Sequence, residues 1–253
     1  MTGRERISPQ MLHKALLENA FFLEYMPTVA LQNGGRCIGC EALIRWRRGA
    51  DVVYPADFIP LMENTPVSGL ITYWVIDTVA SELGDWLRKH RSVHVGINVP
   101  PEVLGRGGLE YAARKAQLMD VRKQIVLEIT ERGIPDQLGL DELEDMADEN
   151  ILIAMDDVNM DESNFIVLSR LPVPIIKLDR DFVAQLTVAN GKERLKAIAA
   201  FVQLGRHYVI AEGVETDEQA HLLKDAGVQY AQGWLYSKSV PAQAFMAYHA
   251  ARQ

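Results

Sequence analysis

The chain has 253 residues, of which 48% are hydrophobic and 24% charged, with a formal net charge of −8. This composition excludes a disordered or low-complexity chain and leaves enough apolar surface for one large core. The acidic balance argues against general binding to nucleic-acid polymers or anionic membranes, which requires a basic face.

The opening residues, Met-Thr-Gly-Arg-Glu-Arg, carry no apolar run of the kind a signal peptide needs. Short apolar runs rich in β-branched and aromatic residues then predict strands at 22–29, 38–46, 93–99, 125–129, 151–156, 175–178, 208–211 and 230–232. Amphipathic segments at 69–89, 109–119, 140–150, 164–170, 193–204 and 217–226 predict the intervening helices. The apolar stretch 69–80 is interrupted by Asp77 and is too short to span a bilayer, so no membrane span and a cytoplasmic location are expected. Eight strands alternating with helices predict a TIM-like (βα)8 barrel, a single domain over 1–253. Only eight residues separate the first two strands, too few for a helical crossover, so one antiparallel strand is expected near the N-terminus. The two cysteines, Cys37 and Cys40, fall in a strand-like run and read as packing residues rather than a zinc or redox pair.

Polar residues recur at strand ends. Asn98, Glu128, Asp156, Lys177, Glu212 and Gln232 lie at or beside the C-terminal ends of six strand candidates. From Asn98 to Gln232 there are five steps of about 27 residues, the length of one βα unit. Any one of them could be a satisfied structural group. Six in one phase point to the barrel's C-terminal mouth, where such folds build active sites.

Glu41, Asn98, Glu128, Asp156, Asp157 and Glu212 form an all-oxygen donor set without histidine. Such a set selects hard divalent ions, Mg²⁺ or Mn²⁺, over zinc or copper, with Ca²⁺ expected to occupy it without turnover. Carboxylates so crowded would repel one another without cations, which argues for two ions, and adjacent Asp156 and Asp157 suit a bridging role. Glu41, Leu43 and Arg45 share one strand face, placing Arg45 to hold a phosphate. Lys177 suits orienting a water or stabilising developing charge, the alternative being a structural ion pair with a rim carboxylate.

The chain resembles the EAL-domain cyclic di-GMP phosphodiesterases. The likeness rests on Glu41-Ala42-Leu43 with Arg45-Trp46, Pro55-Ala56-Asp57-Phe58-Ile59-Pro60, Asn98, Glu128-Ile129-Thr130-Glu131, Asp156-Asp157, Lys177-Leu178-Asp179, Ala211-Glu212-Gly213-Val214-Glu215 and Gln232-Gly233. The resemblance implies hydrolysis of one 3′–5′ phosphodiester of cyclic di-GMP to linear pGpG, by a water activated at two metal ions. It implies that Glu41, Asn98, Glu128 and Asp156 hold one ion and Asp156, Asp157 and Glu212 the other. Lys177, Glu212 and Asp157 would be catalytic, with Lys177 beside the attacking water. Arg45, Leu43, Glu215 and Gln232 would bind substrate, and Glu131 would anchor the loop after Asp157. A homodimer is implied, and a sensory or partner domain outside the given sequence is compatible with the resemblance.

Three positions depart from the family pattern. The loop reads Asp156-Asp157-Val158-Asn159-Met160-Asp161-Glu162 in place of Asp-Asp-Phe-Gly-Thr-Gly, Met26 replaces a glutamine, and Val99-Pro100 replaces Leu-Ser. None removes a metal ligand. The altered loop keeps a second reading open, a catalytically weak or inactive domain that binds cyclic di-GMP or a protein partner. A barrel phosphoesterase acting on another substrate is the third.

Overall fold

A computed structural model describes residues 7–130, 137–159, 173–188 and 191–253. Strands β1 (Phe21–Ala30), β2 (Arg36–Arg48), β4 (His94–Asn98), β5 (Ile125–Thr130), β6 (Leu152–Val158), β7 (Ile175–Leu178), β8 (Tyr208–Ala211) and β9 (Tyr230–Ala231) form one sheet. Its order is β1-β9-β8-β7-β6-β5-β4-β2, and the β1–β2 pairing closes it into an eight-stranded barrel. β1 runs antiparallel to both neighbours, while the other barrel strands pair in parallel. The TIM-like barrel and its antiparallel strand are as the sequence indicated.

The short strand β3 (Asp51–Val53) was not foreseen. It hangs from β2 as a hairpin edge, with Asp51 and Val52 exposed, and is too short for a periodic signal.

Helices α1 (Pro9–Leu17), α2 (Pro55–Met62), α3 (Pro66–Lys89), α4 (Gly108–Lys115), α5 (Gln137–Asp148), α6 (Arg180–Ala184), α7 (Gly191–Gln203), α8 (Asp217–Asp225) and α9 (Ala242–Ala250) accompany the strands. α3 shows why the chain is helical there. The Thr65 hydroxyl accepts from Val67 N, Pro66 sits at the first turn, and Arg88 and Lys89 face the negative end of the dipole. Val67, Ile71, Val75, Val79, Leu83 and Leu87 recur at helical spacing and are buried. α8 starts on a capping box of Thr216 and Gln219.

The sequence reading passed over α1, α2, α6 and α9. α6 is very short, α2 carries Pro60 inside it, and α9 (AQAFMAYHA) distributes apolar residues too evenly to show a stripe. The expected helix at 164–170 lies outside the described residues. Among those residues, no helix is long and apolar enough to cross a membrane.

The barrel interior sets up the site. Val126, Ala154 and Ile175 are buried together, with Leu152 and Ile210 packed against them. Strand side chains alternate, so two residues beyond Val126, Ala154, Ile175 and Ile210 the same inner face presents Glu128, Asp156, Lys177 and Glu212. An apolar plug therefore lies beneath a polar layer at the C-terminal mouth. Ile97, Leu127 and Ile129 face outward into the larger core under the helices.

β2 and β4 approach closely at Gly39, which lies opposite His94; a Cβ there would collide with the His94 carbonyl. Gly39→Ala is expected to destabilise the fold by about 1–3 kcal/mol, measured by urea unfolding. A change below about 0.5 kcal/mol would mean that the two strands can part without cost.

Candidate active site

Lys177 lies at the centre of the mouth. Its side chain is fully buried, and Nζ lies 2.7 Å from Glu212 Oε1, 2.8 Å from Glu128 Oε2, 3.1 Å from Glu41 Oε2 and 3.2 Å from Asp156 Oδ1. Five strands thus converge on one ammonium: β2, β5, β6 and β7, with Glu212 following β8. Amides complete the layer. Asn98 Nδ2 donates to Glu41 Oε1 at 2.8 Å, and Gln232 Nε2 donates to Glu41 Oε2 at 2.6 Å and Glu212 Oε1 at 3.0 Å. Gln232 is itself held by the Thr28 hydroxyl, which donates to Oε1 at 3.2 Å.

Asp156 and Asp157 would face opposite sides of a regular strand. β6 is irregular here: its pairing with β7 shifts between Met155 and Val158, and Asp157 has a φ of 57°. Aspartate tolerates this left-handed conformation better than most side chains. The irregularity turns both carboxylates to the same side, and Asp157 N donates to Asp156 Oδ1 at 2.9 Å.

Glu41, Glu128 and Asp156 then bring one carboxylate oxygen each within 4.8 Å of one another, and Asp156, Asp157 and Glu212 do the same. The two groups share Asp156. Five carboxylates share the mouth with one internal cation, and this oxygen-only donor set fits divalent metal ions. Neither cysteine joins a metal-holding group among the described residues, and both are buried with free thiols.

The charges reflect the crowding. Burial pushes the Glu128 carboxyl well above the usual range, with the Glu41 charge adding to it. Burial raises Glu212 to about 8 and Asp156 to about 6, with Lys177 opposing and neighbouring carboxylates adding. Glu41 alone ends below its ordinary value. Burial raises it, but the Lys177 charge and hydrogen bonds from Asn98, Gln232 and Lys177 outweigh that effect. Burial would lower Lys177, yet the four carboxylates hold its pKa well above the ordinary value.

Arg45 shares the inner face of β2 with Glu41 and Leu43 but is buried and already engaged. Its Nε donates to Glu24 Oε2 at 2.9 Å, Nη1 to the Ile44 carbonyl at 3.0 Å and Nη2 to Ser239 Oγ at 3.0 Å. Tyr54 lies against the guanidinium, 5.1 Å from ring centroid to Cζ. Leu43 is half-buried, and Glu215 is exposed just beyond β8, its backbone N–H donating to Gln219 Oε1. Glu131, Met160, Asp161 and Glu162 lie outside the described residues.

Sequence reasoning missed Glu24, Thr28 and Ser239. Glu24 and Thr28 sit on β1 at the same alternation as Met26, which lies opposite Glu41, so strand phase alone could have found them. Ser239 carried no signal, since it follows the last strand by eight residues.

Fold and site together define the class: a TIM-like barrel whose C-terminal mouth carries an acid-rich polar centre. The EAL domain model matches residues 9–239. The chain is 33% identical over 239 residues to the probable cyclic di-GMP phosphodiesterase PdeB of Escherichia coli K12, covering 93% of this chain and 46% of that protein. It is 31% identical to the cyclic di-GMP phosphodiesterase PdeL of the same organism, covering 95% of this chain and 68% of PdeL. Among solved structures, the PaMucR phosphodiesterase in complex with c-di-GMP aligns with a TM-score of 0.81 and 31% identity, over 93% of this chain and 98% of that one. The EAL enzyme Bd1971, bound to cAMP and cyclic di-GMP, aligns with a TM-score of 0.83 and 28% identity, over 95% and 68%. The chain belongs to the EAL domain family. It spans less than half the length of PdeB and 36% of that of the bifunctional MucR of Pseudomonas aeruginosa.

Two substitutions separate the roles of charge and space in this centre. Lys177→Met leaves four buried carboxylates without their shared counter-charge, and should cost about 3–5 kcal/mol of stability in EDTA. Added Mn²⁺ should recover part of that loss in thermal unfolding. Unchanged stability would show that the carboxylates discharge themselves by taking up protons. Gly96 faces Glu128, and a Cβ there would strike Oε1. Gly96→Ala should lower Mn²⁺ affinity about 10–100-fold while the protein stays folded. Wild-type affinity would mean that Glu128 need not stay where it is.

Proposed function

We propose that this chain hydrolyses one 3′–5′ phosphodiester bond of cyclic di-GMP to linear pGpG, using two divalent ions, Mg²⁺ or Mn²⁺. The observation that carries this reading is the convergence of Glu41, Asn98, Glu128, Asp156, Asp157 and Glu212 on the barrel mouth around Lys177. Relatives named cyclic di-GMP phosphodiesterases support the substrate.

In this reading Glu41, Asn98, Glu128 and Asp156 hold one ion, and Asp156, Asp157 and Glu212 hold the other. The ions would supply Lewis-acid polarisation of the phosphodiester and of water. The protein's own groups do the rest. Lys177 stays charged because carboxylates surround it, so it can orient the attacking water and offset negative charge developing at phosphorus. Gln232 fixes Glu41 and Glu212 relative to each other. Arg45 and Leu43 line the β2 side of the mouth, where the guanidinium takes a phosphate oxygen, and Glu215 offers a carboxylate to a guanine edge.

Incubation with cyclic di-GMP and Mn²⁺ or Mg²⁺ should yield pGpG by chromatography, with EDTA abolishing the reaction and Ca²⁺ failing to support it. Glu41→Ala, Asp156→Ala and Glu212→Ala should each lower turnover by orders of magnitude. Saturable binding of cyclic di-GMP without linear product in either metal would overturn hydrolysis and favour a binding module.

A further inference from the structure

Arg45 is held more elaborately than a phosphate-binding arginine requires. Arg45 is buried at 6% exposure, and three of the five N–H groups of its guanidinium donate within the protein. The Nε side is closed by Glu24, while Ser239 Oγ accepts from Nη2 and donates onward to the same Glu24 oxygen, at 2.7 Å. Glu24 and Ser239 are therefore not two separate contacts. They form a closed ring of hydrogen bonds with one edge of the guanidinium.

Their origins in the chain differ. Glu24 comes from β1, where it lies opposite Leu43, and Ser239 comes from the segment leading from β9 to α9. That segment is pinned beside it, since Val240 and Tyr25 exchange both backbone hydrogen bonds, at 2.7 and 3.0 Å. The ring thus joins the first strand, the second strand and the end of the barrel across 215 residues of sequence.

We infer that Glu24 and Ser239 are positioning residues for substrate binding, acting through Arg45. This rests on the proposed function, in which Arg45 contacts a phosphate. A guanidinium has one Nε–Nη edge and one Nη–Nη edge able to bind a planar pair of oxygens. The ring consumes the first edge, and the Ile44 carbonyl takes one proton of Nη1. One N–H on each Nη remains without a partner among the described residues and is left for a phosphate. Tyr54 against the guanidinium face restrains its rotation. The arginine is thereby oriented before the ligand arrives, and little side-chain entropy is lost on binding. Glu24 also supplies the counter-charge that lets Arg45 be buried.

The test compares Arg45→Ala, Glu24→Ala, Glu24→Gln and Ser239→Ala for cyclic di-GMP affinity in Ca²⁺ and for kcat and KM in Mn²⁺. Thermal unfolding checks that each variant folds. Arg45→Ala tests the underlying reading. If it leaves affinity unchanged, Arg45 does not bind phosphate and the inference falls with that reading. If Arg45→Ala weakens binding, Glu24→Ala should raise Kd and KM by about tenfold with kcat changed much less. Glu24→Gln, which keeps an acceptor, should recover most of the loss, and Ser239→Ala should raise KM by a few-fold. Glu24→Ala binding as tightly as the native chain, or more tightly, would overturn the positioning role. Equal losses in kcat and kcat/KM would overturn it too. Should Glu24→Ala not fold, Glu24→Gln combined with Ser239→Ala carries the test, with native KM overturning the inference.

Discussion

One buried ammonium among four carboxylates is the interaction on which the mouth depends. Lys177 has no exposure to solvent, so its charge persists only because Glu41, Glu128, Asp156 and Glu212 all lie within 3.2 Å of it. The carboxylates depend on it equally, since burial pushes each of them toward protonation. Such an arrangement is costly as a device for stability alone, because apolar residues of like volume commonly do as well. The apolar layer formed by Val126, Ala154 and Ile175 just below shows that this barrel can fill its interior that way. The polar layer is thus a departure from what packing requires, and departures of that kind mark functional sites.

Much of this was legible before the structure. Strand alternation puts Val126 and Glu128, Ala154 and Asp156, and Ile175 and Lys177 on one face, and an apolar run ending in a charge is a strong local pattern. The eight strands and the one antiparallel connection followed from run length and spacing. Two features did not follow, for different physical reasons. The short helices α2 and α6 and the strand β3 are fixed by what they pack against rather than by their own periodicity. Of the side chains that hold Arg45, Glu24 shares the phase of β1, but Ser239 lies 194 residues after the arginine and no local pattern relates the two.

The paired aspartates show where reading a strand as regular misleads. Adjacency in sequence suggested a bridging pair, yet in an even strand the two side chains would diverge. The shift in the β6–β7 pairing and the positive φ of Asp157 make the pair work. The left-handed residue is the aspartate itself, a type that tolerates the conformation without help from a glycine.

Charge balance links the site to the acidity of the whole chain. Five carboxylates at the mouth set against Lys177 leave four negative charges when all are ionised. That is the charge carried by two divalent ions. Arg45 contributes little net charge, because Glu24 is paired with it. In the proposed reading, a chain of net charge −8 would draw an anionic diester not through a basic surface but through cations held at the bottom of an acidic mouth. Burial also favours protons on part of this set, raising the Glu212 and Asp156 carboxyls. In that reading metal ions, protons and Lys177 would compete for one set of oxygens, whose positions are set by β2, β5, β6 and the residue after β8.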